Sequence, residues 1–301
     1  MTATTLMRLV LLGEALFYAF VASLLHRAGW QGGCIAAAIV ALALSGRGVM
    51  IFNTYVFAHQ FRAPLPAGQA LGLFGFLRMA LMEWVAYVAL FSLVQPLERF
   101  LLGADRLTRH ASGRLPVLLV HGYQCNRGTW LWQRTRLERA GWTVATVNLD
   151  PVFASIDHGG ELIAQRIEEI CAATGAARVV LVGHSMGGLA ARAYLRAHGT
   201  ARVAKLVTLG TPHNGSRLAK LGAGINARQM EPGSAWLAAL NREAPLPTDT
   251  VSARSLYDNY VMPQDSPLLV GTRDVLLGPV GHLTMAFSPA VTRLLLAELS
   301  D

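Results

Sequence analysis

The stretch VGHSMGGLAARAYL, residues 182–195, places a serine between glycines at the end of an apolar run. Its first part, Gly183-His184-Ser185-Met186-Gly187, fits the pattern Gly-x-Ser-x-Gly. This pattern is typical of a sharp strand-to-helix turn, in which small residues permit close packing and the serine hydroxyl points out of the sheet. A five-residue pattern also arises by chance, so the residues around it decide whether Ser185 is a nucleophile.

The chain from residue 116 onward alternates short apolar runs with amphipathic stretches. Strands are predicted at residues 117–120, 143–149, 179–182 and 203–209, and helices at residues 131–140, 161–173 and 186–198. Alternation at this spacing predicts an α/β fold with a parallel sheet covered on both faces. Ser185 follows the third of these strands directly, at the carboxyl edge of the sheet where ligands bind in such folds.

A serine hydroxyl needs a base, usually a histidine, and the histidine needs a carboxylate to orient it. In this fold class the chain order is serine, acid, histidine. Of the histidines that follow Ser185, His198 lies late in the next helix and His213 comes too early to leave room for the acid. His282, in GPVGHLTMAFSP, remains as the candidate base.

The candidate acid is Asp258, at the end of a strand predicted at residues 251–257. Asp249 precedes that strand, whereas Asp265 and Asp274 come later, in the connection or beside a last apolar run at residues 275–277. Its place in the chain order and at the end of a strand favour Asp258 as the acid. Asp265 is the alternative, which substitution of each aspartate would distinguish.

An oxyanion hole is predicted at the end of the first strand, where His121-Gly122-Tyr123 occurs. The backbone N–H groups of Tyr123 and Met186 would point at the developing negative oxygen. His121 is interpreted as a residue that orients this loop rather than as a second base. Cys125, which has no such turn around it, is not favoured as a nucleophile.

The cysteines are three and widely spaced, without a CxxC pair or a histidine pair at ligand spacing. They support neither a disulfide framework nor a zinc site, and no cofactor or metal is expected. The formal charge is +8, but the arginines are scattered without a basic run, which argues against nucleic-acid binding. A basic balance also suits anionic lipid head groups.

The first 95 residues have a different composition. Residues 6–25, 34–58 and 71–94 are almost wholly apolar, and about 20 such residues suffice to cross a bilayer. We expect an all-α transmembrane region at residues 1–95, with a possible break or re-entrant turn at Gly46 to Gly48. The alternatives are a signal peptide for the first stretch and a buried helical appendage of a soluble protein. Glu14, Arg78 and Glu83 would be costly in lipid, so we expect them to form ion pairs between helices or to reach the interface by snorkelling.

Residues 96–115 are expected to form a polar juxtamembrane connection. The arginines around the helices are divided almost evenly between the two sides of the membrane. One side has Arg27, Arg99, Arg106, Arg109 and Arg114, and the other has Arg8, Arg47 and Arg62. With three spans this slightly favours a cytoplasmic catalytic half in a multi-pass protein of the bacterial inner membrane, and an even number of spans would reverse the argument.

Five features of the sequence together resemble the bacterial lipases and esterases of the α/β-hydrolase family. They are His121-Gly122-Tyr123, the glycine-flanked Ser185, TLGTPHNGS at 208–216, Asp258 and GHLTMAFSP at 281–289. The resemblance covers about residues 114–300. It implies a Ser185, Asp258, His282 triad, an oxyanion hole at Tyr123 and Met186, and a small cap around 213–250. Since no early strands precede residue 117, a shortened, mostly parallel sheet of about six strands is expected at 116–301.

The apolar N-terminal half is a departure from the secreted lipases, whose disulfide and calcium pattern is also not evident. We therefore expect a membrane-anchored serine hydrolase that cleaves carboxylic esters, with lipid esters and the bilayer as partners and no identifiable protein partner. An acyltransferase or thioesterase with the same triad, and a membrane interaction protein with a hydrolase-like domain, remain alternatives.

Overall fold

The computed structural model describes residues 1–107, 113–243, 246 and 248–300. Its N-terminal part holds α1 (Ala3–Arg27), α2 (Gly32–Gln60) and α3 (Leu73–Val88), which continues as a π-helical segment, Ala89–Val94. By length and composition, α1, α2 and the helix Leu73–Val94 are each able to cross a membrane. Their large apolar side chains are mostly exposed.

The expected break in the second apolar stretch is wrong, because α2 runs continuously through Gly46 and Gly48. A glycine inside a helix costs only about 1 kcal/mol relative to alanine, so two of them do not end a long apolar helix. Gly48 also packs under Trp84, whose indole nitrogen would lie 3.8 Å from a Cβ at this position.

The remaining helices follow in chain order along the rest of the chain: α4 (Glu98–Leu102), α5 (Leu131–Arg139), α6 (Ile156–Thr174), α7 (Met186–His198), α8 (Gly224–Gln229), α9 (Ala235–Asn241) and α10 (Pro289–Ser300). Short 3₁₀ helices lie at Arg127–Trp130, Arg217–Leu221 and Leu283–Phe287. The strands are β1 (Val117–Val120), β2 (Val144–Val147), β3 (Val179–His184), β4 (Val203–Leu209), β5 (Asp249–Arg254) and β6 (Arg273–Leu276).

The six strands form one sheet in the order β2-β1-β3-β4-β5-β6, and every neighbouring pair is parallel. The expected α/β class with about six parallel strands is therefore confirmed. Helices α6 and α7 bury apolar side chains on one face of the sheet. Helices α5 and α10 do so on the other face, which leaves the carboxyl edge of the strands free for a site.

The described part of the predicted polar connection packs against the sheet half. The buried Asp105 carboxylate pairs with Arg134 at 2.9 Å and with Arg166 at 2.7 Å, and it accepts the Thr146 N–H at 2.7 Å. Glu98, also buried, pairs with Arg127 at 2.6 Å. Arg109 of this connection, and residues 244, 245 and 247 of the predicted cap, lie outside the described residues.

The apolar helices pack against the loops at the carboxyl edge of the sheet. Ala86 and Leu90 of the third apolar helix form a buried cluster with Leu283. Glu14 of α1 pairs with Arg47 of α2 at 2.5 Å, as expected for charges in apolar helices. Arg78 lies exposed on α3.

Candidate active site

Ser185 occupies the turn between β3 and α7. Its φ of 56° lies in the left-handed region, and its N–H donates to the Leu209 carbonyl at 2.8 Å. The glycines around it are required by close packing, because a Cβ at Gly183 would lie 2.5 Å from the Gly188 nitrogen and one at Gly187 would collide with the Val120 carbonyl oxygen. The turn thus holds a strained serine at the N-terminus of α7.

His282 and Asp258 form a buried pair, although they are 24 residues apart. The His282 Nδ1–H donates to Asp258 Oδ2 at 2.7 Å. The other carboxylate oxygen, Oδ1, accepts the N–H groups of Tyr260 and Val261, each at 2.8 Å. Asp258 lies in the loop after β5, which ends at Arg254, so the strand is shorter than predicted.

Two opposing effects act on the imidazole of His282. Burial alone would lower the pKa of His282, but the charge and the hydrogen bond of Asp258 outweigh it, and the net pKa is raised above its usual value. A ring held by Asp258 at Nδ1 leaves Nε2 as the nitrogen available for proton transfer. This is the environment that a general base paired with a carboxylate has.

Ser185 and His282 line the same cavity, whose volume is about 530 Å³. The cavity also contacts Gly122, Tyr123 and Met230, so the predicted oxyanion loop lies beside the serine. A Cβ added to Gly122 would lie 2.8 Å from the Ser185 Cβ, which shows how closely this loop approaches the serine. The structure thus brings Ser185, His282 and Tyr123 to one cavity, and Asp258 is joined to it through its hydrogen bond with His282.

The ring of His121 fixes the orientation of the oxyanion loop. Its Nδ1–H donates to the Gly122 carbonyl at 2.9 Å, and its Nε2 accepts the Leu149 N–H at 3.0 Å. Burial lowers the pKa of His121 to about 4, so the ring is neutral and keeps this tautomer at neutral pH. Since the Gly122 carbonyl and the Tyr123 N–H belong to one trans peptide, they point in opposite directions. Holding the carbonyl therefore directs the Tyr123 N–H away from His121.

The second predicted donor is the N–H of Met186. Met186 is the first residue of α7, and the first N–H groups of a helix have no acceptor within it. The helix dipole adds partial positive charge at the same end. Backbone donors at Tyr123 and Met186 are suited to a developing oxyanion.

His184, the histidine of the serine turn, holds the backbone of the candidate base. Its Nε2–H donates to the His282 carbonyl at 3.1 Å, and the two rings lie 4.6 Å apart between centroids. Burial, together with the neighbouring His282, lowers the pKa of His184 well below its usual value. A neutral, buried His184 positions the His282 loop and is not a second base.

Glu83 of α3 was expected to form an ion pair or to reach the interface, and the structure gives it other partners. Its carboxylate accepts the Leu283 N–H at 2.8 Å, the Thr284 N–H at 2.9 Å and the Thr284 hydroxyl at 2.7 Å. The loop that carries His282 is therefore tied to an apolar N-terminal helix. The signal available in the sequence was an acidic residue inside an apolar helix, which marks a functional position more often than a structural one.

A second tie to these helices passes through the loop of the acid. The Asn259 side chain donates from Nδ2 to the Thr54 hydroxyl of α2 at 2.7 Å, and its Oδ1 accepts the His282 N–H at 3.1 Å. The backbones beside both Asp258 and His282 thus depend on contacts with the N-terminal helices. No sequence pattern indicated this role of Asn259.

Cys125 does not have the environment of a nucleophile, since burial raises the pKa of its thiol to about 11. Within the described ranges, no group of three or more histidine, cysteine or acidic side chains is arranged to hold a metal ion. The segment after β4 contributes Leu218, Ala219 and Leu221 to the cavity wall. This segment contains the 3₁₀ helix Arg217–Leu221 and the short helices α8 and α9.

Part of the chain is similar to known proteins. Residues 115–249 match the family described as alpha/beta hydrolase fold. A triacylglycerol lipase of Pseudarthrobacter phenanthrenivorans is 39% identical over 122 residues, which cover 36% of this chain and 37% of that protein. A triacylglycerol lipase of Burkholderia plantarii is 39% identical over 122 residues, covering 36% of this chain and 33% of that protein. The chain thus spans about a third of the length of these relatives.

Solved structures with the same fold include the mature lipase BlEst2 of Bacillus licheniformis, with 18% identity and a TM-score of 0.55 over 62% of this chain and 93% of that one. Lipase B of Aspergillus fumigatus has 20% identity and a TM-score of 0.56 over 80% of this chain and 64% of that one. The C-terminal half therefore has the α/β-hydrolase fold, and the expected resemblance to the lipases and esterases of this family is confirmed.

Proposed function

We propose that this α/β-hydrolase chain is a membrane-anchored serine hydrolase that cleaves carboxylic esters of lipids. The observation that carries the proposal is the buried His282–Asp258 hydrogen bond of 2.7 Å at a cavity shared with Ser185. The lipase relatives support an ester as the substrate. The three long apolar helices support attachment to a membrane, and we place the chain in the bacterial inner membrane.

In the first half-reaction, the Ser185 hydroxyl attacks the acyl carbon while His282 Nε2 takes its proton. The Tyr123 and Met186 N–H groups then hold the negative oxygen of the tetrahedral intermediate, a contribution of about 2.7–4 kcal/mol per donor. Asp258 keeps Nδ1 protonated and stabilises the imidazolium. Collapse of the intermediate breaks the C–O bond, and His282 gives its proton to the leaving alcohol.

In the second half-reaction, His282 activates a water molecule that attacks the Ser185 acyl-enzyme. The same donors hold the second oxyanion, and the carboxylic acid is released as Ser185 regains its proton. Both half-reactions need His282 neutral at the start, so the raised pKa of His282 sets the lower pH limit of turnover.

We further propose that residues 213–250 form a small cap over the cavity. This part of the chain contains Arg217–Leu221, α8 and α9, and its side chains Leu218 and Leu221 face the cavity. An apolar wall of this kind is suited to the acyl part of an ester.

Hydrolysis of p-nitrophenyl esters by the purified full chain tests the proposal. The wild type is expected to turn over, and Ser185→Ala, Asp258→Asn and His282→Ala are expected to lose at least about 10³-fold in kcat. Asp265→Asn is the control for the assignment of the acid and retains activity. A folded wild type with no turnover on any ester contradicts the proposal, and loss of turnover in Asp265→Asn instead of Asp258→Asn contradicts the acid.

A further inference from the structure

One wall of the catalytic cavity is built by the three apolar helices. These helices are absent from the part of the chain that matches the α/β-hydrolase family, residues 115–249. The apolar side chains that they contribute are Leu6, Met7, Val10 and Leu11 from α1, Met50 from α2, and Phe91 with the ring of Tyr87 from the third helix. The cavity that holds Ser185 is thus completed by residues from outside the matched region.

The wall is electrically balanced although it contains charges. Glu14 and Arg47 also face the cavity, and they pair with each other at 2.5 Å. The Arg47 guanidinium also donates to the Ser92 hydroxyl at 3.3 Å and to the Ala43 carbonyl at 3.1 Å. With its donors used in this way, Arg47 leaves the neighbouring apolar surface without an unpaired charge, which suits a hydrocarbon chain.

The length of the helices locates this wall relative to a bilayer. Helices α1 and α2 form a hairpin that turns at residues 28–31, and the exposed apolar side chains of its outer part include Phe17, Phe20 and Val40. About 20 helical residues cross the hydrocarbon of a bilayer. Twenty residues before Trp30 is Val10 in α1, and twenty residues after it is Met50 in α2. Both of these residues line the cavity. A hairpin that crosses the bilayer therefore places the part of the cavity lined by Val10 and Met50 at the boundary between hydrocarbon and head groups.

The third helix packs against both the hairpin and the catalytic half. Its buried residues Met79, Glu83, Ala86 and Leu90 recur at helical spacing and face the hydrolase loops or α2. More of it is buried than of α1 or α2. Tyr87 and Phe91 of this helix add aromatic surface to the cavity wall.

We propose that α1, α2 and the third helix form the acyl-chain site of the enzyme, and that the acyl chain of a lipid ester enters this site from the bilayer. The proposal rests on the proposed ester hydrolysis and specifies its substrate as a long-chain lipid ester. The ester group lies at Ser185, and the hydrocarbon extends along Met7, Val10 and Leu11. A soluble short-chain ester reaches Ser185 without using this wall.

Two neighbouring leucines of α1 provide a matched test. Leu11 lines the cavity, whereas Leu12 is 56% exposed and is absent from the cavity lining. Leu11→Trp fills the proposed site, and Leu12→Trp adds the same bulk on the outside of the same helix. The assay compares p-nitrophenyl palmitate with p-nitrophenyl acetate, using the purified full chain in phosphatidylcholine vesicles.

Leu11→Trp is expected to lower kcat/KM for the palmitate at least about tenfold relative to the acetate, the effect of excluding about two methylene groups from apolar contact. Leu12→Trp should keep the wild-type ratio of the two activities. An unchanged ratio in Leu11→Trp, or the same loss in Leu12→Trp, overturns the acyl-chain site. A wild type that hydrolyses neither ester refutes the proposed function instead, so the two failures are distinguishable.

Discussion

Replacement of Glu83 by glutamine should impair catalysis by His282, although His282 itself is unchanged. Glu83 accepts the Leu283 N–H on Oε1 and both donors of Thr284 on Oε2. In Glu83→Gln one oxygen becomes an NH₂ group that faces a donor. At least one buried donor then loses its acceptor, which costs about 1–3 kcal/mol. Because this loop carries His282, we expect kcat to fall roughly 5- to 150-fold, at about 1.4 kcal/mol per factor of ten.

The measurement is kcat and KM for a short-chain ester, together with the thermal midpoint of the same preparation. KM should change little, because Glu83 lies behind the His282 loop. Thr284→Val removes one of the three donors, and its effect should not add to that of Glu83→Gln, since the two residues share a hydrogen bond. Glu168→Gln is the control, because the pair of Glu168 with Arg202 is exposed. A folded Glu83→Gln enzyme with kcat within about twofold of wild type refutes the reasoning.

Three further predictions concern the pair, the oxyanion loop and the connection. Because His282 must be neutral to act, activity should rise as pH increases through its raised pKa. In Asp258→Asn the effect of burial on the pKa of His282 dominates, so the acidic limb of the kcat profile should move to lower pH. In the same variant kcat should fall about 10⁴-fold. An acidic limb at the wild-type pH in Asp258→Asn contradicts Asp258 as the cause of the raised pKa of His282. Gly122→Ala puts a Cβ 2.8 Å from that of Ser185, an overpacking that costs about 1–3 kcal/mol, so turnover should be lost in an enzyme that still folds, and retained turnover argues against the oxyanion loop. Asp105→Asn breaks a buried ionic cluster worth about 3–5 kcal/mol and should lower Tm by about 10 °C, as calorimetry checks; an unchanged Tm contradicts the cluster's role.

The parts of the fold that sequence predicted depend on local patterns. Buried parallel strands are short apolar runs, so β1 to β5 were found, although β5 ends at Arg254 and not at Tyr257. The exposed edge strand β6 was indicated only by the apolar run at 275–277. The turn at Ser185 was found for the same reason, since its glycines are required by packing within a few residues. Chain order then led to Asp258 and His282, which the structure places within hydrogen-bond distance.

The parts that sequence did not predict depend on contacts between distant segments. Glu83 finds its donors 200 residues away, and Thr54 meets Asn259 across a similar separation. Asp105 looked like part of a polar connection, but its three arginine partners come from different parts of the chain. Periodicity shows which face of an element is apolar, and it carries no information about which loop a single polar side chain will reach.

The central claim is that Ser185 is a nucleophile activated by the His282–Asp258 pair. Reaction of the purified full chain with a fluorophosphonate, followed by mass spectrometry of the proteolytic fragments, tests it most directly. We predict one phosphonyl adduct on Ser185, with no labelling in Ser185→Ala and strongly slowed labelling in His282→Ala. A folded wild type that remains unlabelled, or an adduct on any other residue, would contradict the account.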